Sequence, residues 1–267
     1  MKKIVMFNRK GGIGKTVSTI NFAGALDVKF KKRVLVVDCD AQCNTSICLT
    51  IGEGIDVQNI NSIANLFTDE NYNVEDILHP VHLMDKNDRN LIETNISLAS
   101  GSRELDNIDT SNMYQLRDFL LKCDDMFDYC IMDCPPALTN MTINALCAAD
   151  YVIIPVFAGR DSVSGYDMVI EEIDAMKENG YNVNLKVLGV LINALDRRRT
   201  IEKYYLDVWK ETAGESMVFE TTIRDSSDVP NAYEFGKPVH YYRPSGDVAG
   251  DYNKAIKEMI KRIKELG

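Results

Sequence analysis

Three observations predict a doubly wound α/β fold, a mostly parallel sheet flanked by helices. Short continuous apolar runs alternate along the chain with segments of helical spacing. The first run, Ile4-Val5-Met6-Phe7, leads into the glycine-rich Lys10-Gly11-Gly12-Ile13-Gly14-Lys15-Thr16, and an apolar-periodic segment from Val17 to Phe30 follows. Two later runs end in aspartate, at Asp38 and Asp133. Right-handed crossovers would place such polar strand ends on one rim.

The glycine-rich stretch reads as strand, loop, helix. Backbone N–H groups freed by the glycines, backed by a helix N-terminus, suit a polyphosphate. The common phosphate-loop pattern G-x-x-x-x-G-K-[ST] needs glycine at position 9, where this chain has Arg9 followed by a second lysine, Lys10. Next, residues 33–38 (RVLVVD) form a run suited to a buried parallel strand, ending in Asp38-Cys39-Asp40-Ala41-Gln42-Cys43-Asn44. Open α/β sheets bind ligands beyond such strand ends, which favours magnesium and water handling for these carboxylates over a role in shaping turns alone.

Residues 50–110 carry no legible chemistry. Short helices are expected over 62–67 and 74–78, a loop over 85–90 and a strand over 91–98. His79 and His82 are expected in a polar loop region. Residues 113–121 have helical spacing, with Asp109, Thr110 or Ser111 as N-cap. A second buried strand, 129–133, is stopped by Cys134-Pro135-Pro136. A helix over 139–149 and a strand over 151–156 follow. Then come a helix from about 162 to 179 stopped by Gly180, and a strand over 185–193 closing on Asn193. Helices over 200–213, 229–235 and 252–266 and a short strand over 217–222 complete the chain.

No linker, repeat or low-complexity tract divides the 267 residues, so one domain over 1–267 is expected. The formal net charge of −10 means that any DNA contact must come from a local patch. No segment approaches the roughly 20 apolar residues of a membrane span, and no signal-peptide run opens the chain, so a cytoplasmic location is expected. None of the seven cysteines forms a C-x-x-C pair. Most read as small apolar residues of a reducing compartment rather than as zinc, iron–sulfur or disulfide positions, with Cys134 set apart by the carboxylate beside it.

These residues together resemble the ParA/MinD ATPases, P-loop NTPases of the deviant Walker A type, and most closely the ParA/Soj partition ATPases. Lys10 to Thr16 is similar to their deviant Walker A motif, and Asp38 to Asn44 to their Walker A′ segment. Asp133-Cys134-Pro135-Pro136 is similar to their Walker B and switch segment. The stretch from Thr142 to Val156 and Phe235-Gly236-Lys237-Pro238-Val239 extend the likeness over most of the chain. The resemblance implies ATP and Mg²⁺ as cofactors, with Gly11, Gly12, Ile13, Gly14, Lys15, Thr16 and Val17 cradling the nucleotide. It implies that Lys15 binds the β- and γ-phosphates, and that Thr16, Asp38 and Asp133 hold the metal and its waters. Asp40 would position the attacking water, and Lys10 would reach the nucleotide of a partner subunit in an ATP-bound homodimer. Asn193 takes either an adenine contact or a turn role.

The implied function is a weakly hydrolysing ATP switch for partition of plasmid, chromosomal or mobile-element DNA, with a ParB-like partner. A MinD-like positioning ATPase on a membrane and a cobyrinic acid amide synthase-like enzyme share the nucleotide motifs. Asp225 and Asp228 stand where many relatives carry basic residues. Arg197, Arg198 and Arg199 form either a nonspecific DNA contact or a solvated helix start. The terminal helix has an apolar face, Tyr252, Ala255, Ile256, Met259, Ile260, Ile263 and Leu266, whose spacing favours core packing over membrane contact.

Overall fold

The computed structural model describes residues 1–85 and 89–267, so the expected loop over 85–90 lies partly outside the described residues. Seven strands form one sheet: β1 (Lys2–Met6), β2 (Val34–Asp38), β3 (Leu78–Met84), β4 (Leu91–Ala99), β5 (Tyr129–Asp133), β6 (Tyr151–Phe157) and β7 (Lys186–Asn193). Their spatial order is β3-β4-β2-β5-β1-β6-β7, and every pairing is parallel except β3 with β4. The helices are α1 (Lys15–Phe30), α2 (Asn44–Thr50), α3 (Asn65–Thr68), α4 (Val74–Ile77), α5 (Gln115–Lys122), α6 (Asn140–Ala148), α7 (Arg160–Val163), α8 (Tyr166–Glu178), α9 (Thr200–Ala213), α10 (Asp228–Glu234), α11 (Val239–Tyr242) and α12 (Asp247–Leu266).

Apolar side chains on both faces of the central strands dictate two cores. One face packs Val5, Val37 and Met132 under α5, α6, α8 and α9, including the fully buried Trp209. The other packs Ile4, Val36 and Ile131 under α1, α10, α11 and α12. The helix after β1 thus covers one face and the helices after β6 cover the other. That divergence opens a crevice beyond the strand ends, where such sheets take ligands. The apolar side of α12 is spent in this packing: Ala255, Ile256 and Met259 are fully buried, and only Leu266 at its end is exposed.

Several expectations are corrected. His79 and His82 lie on β3, not in a loop, because Val81 and Leu83 alternate inward. Pro80 is tolerated there since β3 is an edge strand with a register shift beside it. Glu53 satisfies His82, accepting from its N–H at 3.1 Å and pairing with Nδ1 at 2.9 Å. The helix expected from 162 to 179 is two, α7 and α8, broken around Ser164 and Gly165. Residues 217–222 form no strand beyond a single bridge from Val218 to Val190. Helix α5 is preceded by Tyr114 rather than capped by residues 109–111; Asp109 instead accepts from the N–H of Ser111 at 2.9 Å. Helix α12 starts five residues earlier than its apolar face suggests, and α2 has no counterpart in the sequence reading.

Candidate nucleotide site

The loop between β1 and α1 is built from its backbone outward. Gly12 and Gly14 take φ of 72° and 86°, left-handed values that suit glycine. Asn8 fixes the start of the loop, donating from Nδ2 to the carbonyl of Pro155 at 3.0 Å and accepting from the N–H of Lys10 at 3.0 Å. Gly11 and Gly12 are exposed, while Ile13 is buried as the loop's apolar anchor. Lys15 opens α1, is only 7% exposed, and donates from Nζ to the carbonyl of Lys10 at 2.9 Å. Burial pulls its pKa down, opposed chiefly by the negative charge of Asp133.

The strand register sets the acidic half. Asp38 and Asp133 are paired residues of β2 and β5, so both carboxylates emerge side by side on the face covered by α1. Burial, reinforced by the repulsion of Asp133, pushes the pKa of Asp38 up; burial also pushes that of Asp133 up, against the hydroxyls of Thr16 and Thr45. Asp133 Oδ2 accepts from the hydroxyls of Thr16 and Thr45, each at 2.7 Å. Asp38 Oδ2 accepts from the N–H and hydroxyl of Ser46 at 2.8 and 2.7 Å, and its Oδ1 from the N–H of Asp40 at 3.2 Å. Asp40 is partly exposed and accepts from the N–H of Gln42 at 2.9 Å.

Asp133 Oδ1 is buried and has no hydrogen-bond partner among the described residues. A buried carboxylate oxygen left open, beside a threonine hydroxyl and a phosphate loop, matches the hard oxygen donors that Mg²⁺ takes. The residues present therefore fit the cation that this fold implies.

On the other side of the loop, Asn193 donates from Nδ2 to the carbonyl of Ile13 at 3.1 Å and to Ser18 Oγ at 3.0 Å. Its Oδ1 is buried without a partner among the described residues. The neighbouring cleft, about 200 Å³, is lined by Gly12, Gly14, Val17, Asn193, Arg224 and Tyr252 among others. Lys10 differs from Lys15. Its side chain is 41% exposed, and its Nζ lies 3.8 Å from Asp161 on α7. The sequence-predicted nucleotide and metal residues are thus brought to one rim.

The three arginines beyond β7 are each engaged by a neighbouring side chain. Arg197 donates to Thr222 Oγ1 at 3.0 Å, Arg198 makes a two-pronged contact with Asp196 at 2.9 and 3.0 Å, and Arg199 meets Glu202 at 3.1 Å. Asp228 is matched by Arg243 at 3.2 Å.

The chain matches the family described as AAA domain over residues 1–187. It is 31% identical over 263 residues to the chromosome partitioning protein ParA of Myxococcus xanthus, covering 97% of this chain and 88% of that protein. It is 30% identical over 268 residues to the chromosome-partitioning ATPase Soj of Thermus thermophilus, covering 99% and 98%. The chain belongs to the ParA/Soj family. Among solved structures, cobyrinic acid a,c-diamide synthase from Mycobacterium smegmatis with bound ATP analog and magnesium superposes with a TM-score of 0.80 at 22% identity, covering 99% and 96%. That likeness is one of fold, shared by the ParA/Soj family with other P-loop enzymes.

Sequence reasoning missed Thr45, Ser46 and Gly101 in this ParA/Soj site. Gly101 donates its N–H to Ser46 Oγ at 2.9 Å, and its α-carbon lies against the carbonyls of Asp38 and Asp40. A Thr-Ser pair one residue past Asn44, at the start of a helix, is a local signal that would have found two of them.

Proposed function

We propose that this chain is an ATP-driven switch of the ParA type, one ATPase unit over residues 1–267, that dimerises on Mg-ATP and hydrolyses it slowly. The contrast between its two lysines carries the proposal. Lys15 is buried within the loop, where it serves the chain's own β- and γ-phosphates, whereas Lys10 stands at the outer edge with a half-exposed side chain. A cation facing outward from a phosphate loop suits the nucleotide of a second subunit.

Thr16 and Asp133 would hold Mg²⁺, with Asp38 adding charge behind them; the bound ion would neutralise the phosphate oxygens. Asp40 orients a water for attack on the γ-phosphorus, and the bond to the β,γ-bridging oxygen breaks as the new P–O bond forms. Lys15, and Lys10 from the other subunit, offset the charge gathering on the leaving group. Val17 and the cleft beside Asn193 take the base.

The partner class that fits is a ParB-like centromere-binding protein, with DNA contact through Arg197, Arg198 and Arg199 and a cytoplasmic, nucleoid-associated location where DNA is bound. A membrane role finds no support in α12, whose apolar face is packed against α1. Light scattering tests the reading. Mg-ATP should shift the chain from monomer to dimer, and ADP should not. Lys10→Ala should keep nucleotide affinity but remain monomeric with ATP. A Lys10→Ala protein that dimerises and turns over ATP like the parent would overturn the role given to Lys10.

A further inference from the structure

We infer that Thr45 is a positioning residue, fixing the Asp133 carboxylate and tying to it the segment that carries Asp40; this rests on the Mg-ATP reading above. Thr45 lies in the first turn of α2 and is fully buried. Its hydroxyl donates to Asp133 Oδ2 at 2.7 Å, the oxygen that Thr16 on α1 also reaches at 2.7 Å. One carboxylate oxygen thus gathers donors from two helices, while Oδ1 has none among the described residues.

Two donors on Oδ2 stop the carboxylate from rotating. Oδ1 is then presented in a single direction, which a cation site needs as much as it needs negative charge. A threonine suits the task because its branched β-carbon leaves few side-chain rotamers. The next residue does the same for the neighbouring acid: Ser46 holds Asp38 Oδ2 through both its N–H and its hydroxyl. Asp40 lies on the short segment between Asp38 and these two residues. Anchoring Thr45 to Asp133 therefore closes that segment at its far end, as Asp38 does at its near end. Loss of the Thr45 hydroxyl frees one end of the tie and lets Asp133 turn about Thr16 alone.

The test uses Mn²⁺ as the probe, titrated into the full chain loaded with ATP and followed by electron paramagnetic resonance. Thr45→Val should weaken Mn²⁺ binding by roughly 10- to 100-fold. Its affinity for ATP in chelator should stay at the parent level, and Thr45→Ser should restore Mn²⁺ binding. Where the valine variant does not fold, Thr45→Ala is read against the same expectations. Parent-like Mn²⁺ affinity in the hydroxyl-free variant overturns the inference, as does an equal loss of metal-free ATP affinity. Failure of the parent chain itself to bind Mn²⁺ with ATP would instead remove the Mg-ATP reading on which it rests.

Discussion

Lys15 and Arg198 are both cations among acids, and the two regions that hold them treat charge in opposite ways. Lys15 is taken out of water and, among the described residues, given a backbone carbonyl as its close partner, with Asp133 and Asp40 acting at longer range. The Arg198 side chain is 90% exposed, yet it commits both prongs to Asp196 two residues away and holds that acid's pKa down at about 2. On the proposed reading, a buried cation whose ion pairing is incomplete is already organised for phosphate. An exposed cation saturated by a neighbour must first let go of it. Position within the fold, more than charge count, decides which region is ready for an anion.

The largest expected effect breaks the buried side of this contrast. Lys15→Ala should weaken ATP binding by more than roughly 100-fold, since charge-assisted bonds to phosphate are among the strong ones. Arg198→Ala, measured by the same calorimetry, should leave ATP affinity unchanged. Next in size is Gly101→Ala. A methyl group there would lie 2.9 Å from the carbonyl of Asp40 and 3.0 Å from that of Asp38. Overpacking of this kind costs about 1–3 kcal/mol, so the urea midpoint should fall and the acidic half of the site should shift with it.

A pH titration extends the contrast to the far flank of α1. His240 on α11 is buried and shares Nε2 with Asn253. Burial holds its pKa below the ordinary histidine value near 6.5. As pH drops below that value, the unfolded chain takes up a proton that the folded chain resists. Stability is therefore complete above about pH 6.5, the unfolded value, and is lost as the pH falls from there down through the folded pKa. His240→Gln should flatten that limb of a urea-midpoint profile. The smallest effect sharpens the exposed side. Asp196→Asn should release Arg198 and Arg199, tighten nonspecific duplex DNA binding a few-fold at low salt, and steepen its salt dependence by about one ion. An unchanged isotherm would mean that these arginines do not meet DNA.

The buried region was legible in the sequence and its supports were not. Lys10 to Thr16, Asp38 and Asp133 sit in short stretches whose spacing encodes strand, turn and helix, so local reading places them on one rim. Thr45 and Gly101 act through contacts between residues far apart in the chain, 88 positions in the case of Thr45 and Asp133. Seven residues of α2 are too few for a helical period to stand out. The edge strand β3 was hidden by Pro80 and two histidines, polar company for a strand that buries only alternate residues. The break between α7 and α8 falls inside one continuous periodic pattern, and only Ser164 and Gly165 mark it.

The place of β1 in the sheet also has a consequence for synthesis. It is the first strand made, yet it lies inside the sheet between β5 and β6, whose residues come more than 120 positions later. At about 5–20 residues per second, the loop after β1 waits on the order of ten seconds on the ribosome before either neighbour exists. During that interval Ile4 to Phe7 is an unpaired apolar segment with the loop behind it unformed. The latest pairings therefore set when the proposed nucleotide loop can form, and until then Ile4 to Phe7 is open to a chaperone that shields nascent apolar strands.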